Sequence, residues 1–250
     1  MRLLVSVATA AEASAALAGG ADVIDAKDPG TGALGAVSQV ALREICTRVA
    51  NARLVTAALG DACDGEATER AARACIDAGA ALVKIGFAGI IDCERVRGLI
   101  AAAVRGARSG GVIAVAYADA GDAAAIERES LIDLAAVAGA TGILLDTCHK
   151  RGPGVRDLVS ARALSDWIAA AHDSGLLVAV AGKLTVDDLG FVRDSGADVA
   201  GVRGAACVGG RSGVISAERV RVLRSHVDRT SRSAAPSASI SSALTTHVST

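Results

Sequence analysis

Aromatic side chains are scarce in this chain, with one Trp, one Tyr and two Phe in 250 residues. So few rings leave little on which nucleic-acid bases could stack. Charge of one sign is also lacking, since 26 basic residues face 27 acidic ones and the formal net charge is -1. That balance argues against a nucleic-acid backbone or an anionic membrane as the main partner. Long hydrophobic runs are missing although the mean hydropathy is +0.44. The longest apolar candidate, 134–145, is bounded by Asp133 and Asp146. A membrane-spanning helix needs about 20 predominantly apolar residues, so the hydropathy comes instead from many short aliphatic segments. The six cysteines, Cys46, Cys63, Cys75, Cys93, Cys148 and Cys207, are scattered. None forms a C-x-x-C pair and no His lies at zinc-finger spacing, so no metal site is expected. They read as reduced packing residues of a cytoplasmic protein.

Hydrophobic residues make up 52% of the sequence and charged residues 21%. This excludes an intrinsically disordered chain, and the length suffices for a full core. Met1-Arg2 followed by apolar residues 3–11 mimics the start of a secretory signal. The same stretch serves better as a first strand with a helix from Ala10, because the remaining pattern needs that strand.

Short, nearly continuous apolar runs recur at 3–8, 23–26, 54–58, 82–85, 112–117, 142–145, 176–180 and 199–202. Continuous rather than alternating runs are the mark of strands buried on both faces, as in parallel sheets. Helical spacing fills the gaps at 11–18, 38–50, 66–78, 92–107, 123–138, 160–174, 186–195 and 217–227. Gly79, Gly139, Gly175 and Gly196 each follow a helical segment, where helices commonly stop. Eight strands alternating with eight helices predict an α/β protein, a single (β/α)8 TIM barrel over 1–227. A doubly wound open sheet fits less well, for no Gly-x-Gly-x-x-Gly follows the first strand. Residues 228–250 are rich in Ser, Thr and Ala and read as a disordered tail.

Only four of the 26 basic residues are lysine: Lys27, Lys84, Lys150 and Lys183. All four fall at or just past the C-terminal ends of predicted strands, the end that carries the active site in this fold. If that rim takes about an eighth of the chain, chance alone puts all four there about once in several thousand sequences. Arg cannot replace Lys where chemistry needs a neutral amine. Imine formation with a carbonyl is such a task, and neighbouring cations with partial desolvation make one amine nucleophilic. Asp25 shares a face with Lys27, so it could anchor an amine or move a proton. Asp146 ends strand 6 with His149 and Lys150 in the following loop. Tyr117 and Asp119 close strand 5, and Asp61 follows strand 3; these are candidates for polar support. Glycine-rich turns after strands 7 and 8, at Gly182-Lys183 and Arg203-Gly204-Ala205, suit a phosphate cradle, with Arg203 or Lys183 supplying charge.

Residues 21–29, Ala-Asp-Val-Ile-Asp-Ala-Lys-Asp-Pro, and Gly32-Ala33-Leu34-Gly35-Ala36 closely resemble the (5-formylfuran-3-yl)methyl phosphate synthase family, also called 4-(hydroxymethyl)-2-furancarboxaldehyde-phosphate synthases. The resemblance recurs at Val83-Lys84-Ile85-Gly86, Ala116-Tyr117-Ala118-Asp119-Ala120, Leu145-Asp146-Thr147, Lys150, Ala181-Gly182 and Gly201-Val202-Arg203-Gly204-Ala205-Ala206-Cys207. It covers roughly residues 1–225. The resemblance implies a barrel that condenses two glyceraldehyde 3-phosphates into a furan aldehyde phosphate, releasing phosphate and water, in methanofuran-type cofactor biosynthesis. It implies Lys27 as the Schiff-base lysine, Lys84 as proton acceptor, and Asp25, Asp146 and Lys150 as further active-site groups. No cofactor is called for. Lys183 stands where the family more often has a small hydroxyl residue, Val208 where a Lys is familiar, and Arg151-Gly152-Pro153 where Asp-Gly is familiar. Another class I aldolase or isomerase would share the lysine and cradle, and a sugar-phosphate-binding barrel would bind without turnover. Apolar residues on the helix faces would support a homo-oligomer.

Overall fold

The computed structural model describes residues 1–62 and 64–228. Cys63 and all of the expected tail except Asp228 lie outside the described residues. Eight parallel strands, β1 (Arg2–Val7), β2 (Val23–Ala26), β3 (Leu54–Asp61), β4 (Leu82–Gly86), β5 (Gly111–Tyr117), β6 (Gly142–Asp146), β7 (Leu177–Val180) and β8 (Val199–Val202), close into a barrel in chain order. The helices that return the chain are α1 (Ala10–Ala18), α2 (Gln39–Val49), α3 (Gly65–Asp77), α4 (Cys93–Ala107), α5 (Ala120–Ala123), α6 (Arg128–Val137), α7 (Val155–Leu158), α8 (Ala161–Asp173), α9 (Leu189–Asp194) and α10 (Ala217–Val227). The expected (β/α)8 TIM barrel is therefore the fold.

Side-chain alternation along each strand builds two layers. Leu3, Val5 and Val7 of β1 point outward with Val83 and Ile85 of β4 and Ile143 and Leu145 of β6. They pack against inward helix residues such as Leu42, Ile100 and Leu164, and this shell is the main core. Inside the barrel a smaller cluster, including Leu34, Ile113, Val115, Tyr117 and Leu144, fills the β5–β6 side. Across the interior, Ala179, Ala181 and Gly201 line open space.

Local signals explain most boundaries. Thr9, Ser38, Asp64, Asp92, Ser160 and Ser216 each accept a hydrogen bond from the backbone N–H of a first-turn residue of the following helix. Gly79 follows α3 at φ 106°, in the left-handed region that favours glycine.

Four features depart from the sequence expectation, the first being the extra short helix α7 in the loop after β6. The helix expected at 123–138 starts only at Arg128, as α6, and is separated from the unexpected short α5 by Ala124, left-handed at φ 44°. The helix expected at 186–195 shortens to Leu189–Asp194. The loop after β8 holds a short antiparallel hairpin of β9 (Cys207–Val208) and β10 (Val214–Ile215). Among the described residues no helix is long and apolar enough to cross a membrane. The described cysteines are free thiols, with Cys75 and Cys207 buried and Cys93 exposed.

Candidate active site

Strand register assembles the floor of the site. Ser6 of β1 pairs in register with Asp25 of β2, and Asp25 with Thr56 of β3. All three side chains face inward at one level, so two hydroxyls flank one carboxylate. Ser6 Oγ donates to Asp25 Oδ2 and Thr56 Oγ1 to Asp25 Oδ1, each at 2.7 Å. Lys84 reaches across from β4 and places Nζ 2.5 Å from Asp25 Oδ1. Asp25 is 0% and Lys84 4% exposed.

A second pair stands at the end of β6. Lys150 Nζ donates to Asp146 Oδ1 at 2.6 Å and to the Thr147 carbonyl at 2.5 Å. The Thr147 N–H also donates to Asp146 Oδ1, at 2.8 Å. The other oxygen, Asp146 Oδ2, is buried with no hydrogen-bond partner among the described residues. Lys27 Nζ is 3.8 Å from that oxygen. Among the described residues this is the only ion-pair contact of Lys27, and its amine makes no hydrogen bond. Lys27 thus stands between two committed lysine–aspartate pairs with its own nitrogen available.

The electrostatics follow from this crowding. Burial pushes the Lys84 pKa below the ordinary lysine value, the Lys27 charge adds to that, and Asp25 opposes both. Lys150 is lowered in the same way, by burial and then by Lys27 and Arg211 against the pull of Asp146. For Asp25 and Asp146 burial alone would raise the pKa. The lysine charges and hydrogen bonds outweigh it, so both carboxyls lie below the usual range. Two anionic carboxylates and two lysines biased toward deprotonation are therefore held around one available amine.

All five groups open into one cavity of about 590 Å³. Gly182, Lys183, Arg203, Gly204 and Ala205 line it too. Eight basic but only three acidic side chains contribute to its wall, in a chain whose net charge is -1. Such an excess favours an anionic ligand. Gly182, at φ 97°, lets the turn after β7 press against Thr147 and Val155: an added Cβ would stand 3.2 Å from a side-chain carbon of each. Lys183 Nζ donates to the Gly152 carbonyl and ties that turn to the β6 loop.

Arg203 lines the cavity, but its donors are committed. It forms a two-point pair with Glu12, each contact at 3.0 Å, and donates to the carbonyls of Ser6, Arg211 and Gly213. It pins the β8 hairpin to the β1 loop.

Tyr117, Asp61 and Asp119 are not on the cavity wall. Tyr117 donates to Asp61 Oδ1 at 2.6 Å, under Leu34. Burial first, then Asp61, pushes the Tyr117 phenol far above its ordinary value. Asp119 accepts from the N–H groups of Cys148 and His149 at 2.7 and 2.8 Å. Asp119 thus braces the β6 loop that carries Lys150, while Asp61, which also accepts from the Ala88 N–H, ties the ends of β3 and β5 to the loop after β4. Arg211, on the turn of the β9–β10 hairpin, lines the cavity and was not singled out by the sequence. Its only local signal is its place after Gly209-Gly210. Ser6 and Thr56 are hydroxyls inside apolar strands, legible only once the register is known. Among the described residues no group of three or more His, Cys, Asp or Glu is placed to hold a metal ion.

Residues 3–224 match the family model described as 4-HFC-P synthase. A (5-formylfuran-3-yl)methyl phosphate synthase of Methanothermobacter thermautotrophicus is 35% identical over 234 residues, covering 91% of this chain and 99% of that protein. One from Methanopyrus kandleri is 37% identical over 229 residues, covering 89% and 97%. Among solved structures, a 3-hexulose-6-phosphate synthase superposes with a TM-score of 0.60 at 21% identity, covering 91% of this chain and all of that one, a likeness of fold alone.

Proposed function

The chain belongs to the 4-HFC-P synthase family, and from that premise and the cavity's geometry we propose that it makes (5-formylfuran-3-yl)methyl phosphate from two glyceraldehyde 3-phosphates, by a lysine Schiff base, in methanofuran-type cofactor biosynthesis. The observation that carries the reading is the Lys27 amine, without a hydrogen bond among the described residues and 3.8 Å from an orphan carboxylate oxygen.

In this reading Lys27 attacks the carbonyl of one triose phosphate. Asp146 Oδ2 moves the proton that turns the carbinolamine into an imine and water. The imine acidifies the adjacent carbon, and Lys84, lowered in pKa by burial, takes that proton. Phosphate then leaves, the nucleophilic carbon adds to C2 of the second triose in its keto form, ring closure with loss of two waters gives the furan, and hydrolysis of the imine releases the aldehyde and returns the Lys27 amine. Asp25 holds Lys84 in place through the 2.5 Å contact. Lys150 holds Asp146 ionised and oriented. The cation excess of the wall offsets the charge of two phosphate esters. The enzyme class that fits is a lyase, and the ligand is a triose phosphate.

The test is incubation of the purified protein with glyceraldehyde 3-phosphate, with products identified by mass spectrometry. A furan aldehyde phosphate formed with an equal amount of free phosphate supports the proposal. A different triose-derived product moves the chain to another aldolase-type reaction. No product from folded protein overturns it.

A further inference from the structure

If the cavity takes phosphorylated trioses, as proposed above, each phosphate needs a cation free to meet it. Lys84 and Lys150 are held by Asp25 and Asp146, and Lys27 is kept for the carbonyl. Arg203 is 8% exposed, and the Glu12 carboxylate neutralises it. A guanidinium with its donors and its charge both satisfied has nothing left for a ligand.

Arg211 stands differently. Its guanidinium reaches from the β9–β10 turn to the β2 loop, donating from Nη1 to the Pro29 carbonyl and from Nη2 to the Gly32 carbonyl, the latter at 2.7 Å. Both acceptors are neutral. Among the described residues no carboxylate comes within ion-pair distance of it; Asp146 and Asp28 are the acidic groups that act on it, and Arg203 the cation. The Arg211 carbonyl accepts from Arg203 Nε at 2.8 Å, so the buried Arg203–Glu12 pair fixes where the turn sits. The result is a planar fork, oriented by two carbonyls, with its positive charge uncancelled. It lines the cavity on the β2 side of β8, whereas Lys183 lines it on the β7 side.

We infer that Arg211 anchors a phosphate subsite between the β8 hairpin and the β2 loop that begins at Lys27. The ligand is the phosphate ester of a small carbonyl compound, and the two rim cations on either side of β8 match a reaction that takes two such molecules. This rests on the reading above that the cavity binds triose phosphates.

Inorganic phosphate is the probe, titrated calorimetrically into the wild-type protein, Arg211→Gln and Arg211→Lys. Gln keeps amide donors toward the carbonyls but loses the charge; Lys keeps the charge but loses the fork. Arg211→Gln is expected to weaken phosphate binding by about tenfold to a hundredfold, the range for a charge-assisted contact, with Arg211→Lys recovering part of it. The KM for glyceraldehyde 3-phosphate is expected to rise in step. Trapping of unphosphorylated glyceraldehyde on Lys27 by borohydride is expected to stay at the wild-type level. Phosphate affinities within about twofold of wild type in both variants would overturn the inference, even with a lowered melting temperature, since that pattern describes a structural strap. Failure of the wild type to trap glyceraldehyde would count against the imine reading, while the phosphate comparison would still decide the role of Arg211.

Discussion

Replacing Lys84 with Met strips the nearest counter-charge from a buried carboxylate on the cavity floor. Asp25 is 0% exposed. Its remaining hydrogen-bond partners would be the uncharged Ser6 and Thr56 hydroxyls at 2.7 Å, with the more distant Lys27 as the remaining cation acting on it. Removing one member of a buried ion pair costs about 3–5 kcal/mol. For a chain of this size each kcal/mol moves the melting temperature by about 2–4 °C, so Lys84→Met is expected to melt about 6–20 °C lower. Adding Asp25→Asn leaves a neutral amide beside two hydroxyls, and the double variant is expected to regain about 2 kcal/mol or more over Lys84→Met. The pH dependence has a definite sign. The Asp25 carboxyl lies below its ordinary value, because Lys84, Lys27 and the hydrogen bonds outweigh burial. In the wild type the resulting stabilisation is present above the unfolded carboxylate pKa and is lost as pH falls through the depressed folded value. Lys84→Met weakens that depression, so its deficit against the wild type narrows once acid protonates Asp25. Urea unfolding of the wild type, both single variants and the double, at neutral and acid pH, reads every term. A Lys84→Met loss under about 1 kcal/mol, or a double variant no more stable than Lys84→Met, would refute the reasoning.

One other prediction concerns the same floor and another the Tyr117–Asp61 contact off the cavity wall. Asp25→Asn removes the charge that favours protonated Lys84, so the rising limb of kcat/KM against pH is expected to move to lower pH, further below the ordinary lysine value of 10.5. A limb that stays in place or moves upward excludes Lys84 as the base. Gly86→Ala would put a Cβ 2.4 Å from both Asp61 Oδ1 and the Tyr117 hydroxyl oxygen. Breaking that hydrogen bond and overpacking the site is expected to cost about 2–5 kcal/mol in denaturant unfolding; a loss under about 0.5 kcal/mol would mean the Tyr117–Asp61 contact is dispensable.

Much of this fold is legible in the sequence because each strand is a short apolar run and the helix ends carry cap residues or glycine. The lysines are legible for a compositional reason: a chain that otherwise uses Arg keeps Lys only in the middle of β4, directly after β2 and in the loops that follow β6 and β7. What escaped is what local pattern cannot encode. The break between α5 and α6 lies in an Ala-rich stretch, where Ala124, with no Gly or Pro beside it, goes left-handed. The β9 and β10 strands have two residues each, too few to show a period. Arg203 and Glu12 pair across 191 positions, so nothing near Arg203 reveals that it is already neutralised. Arg211 meets Pro29 and Gly32 only through barrel closure. Asp61, Tyr117 and Asp119 stand near strand ends as active-site residues do, yet their oxygens turn to loop N–H groups and to one another.

In the proposed reaction Lys27, rather than Lys84, Lys150 or Lys183, carries the imine. Reduction with borohydride in the presence of glyceraldehyde 3-phosphate, followed by digestion and peptide mass mapping, tests it directly. The label is expected on the peptide containing Lys27 and is expected to vanish in Lys27→Arg, whose guanidinium cannot form the adduct. Label on another lysine, or normal turnover by Lys27→Arg, would contradict it.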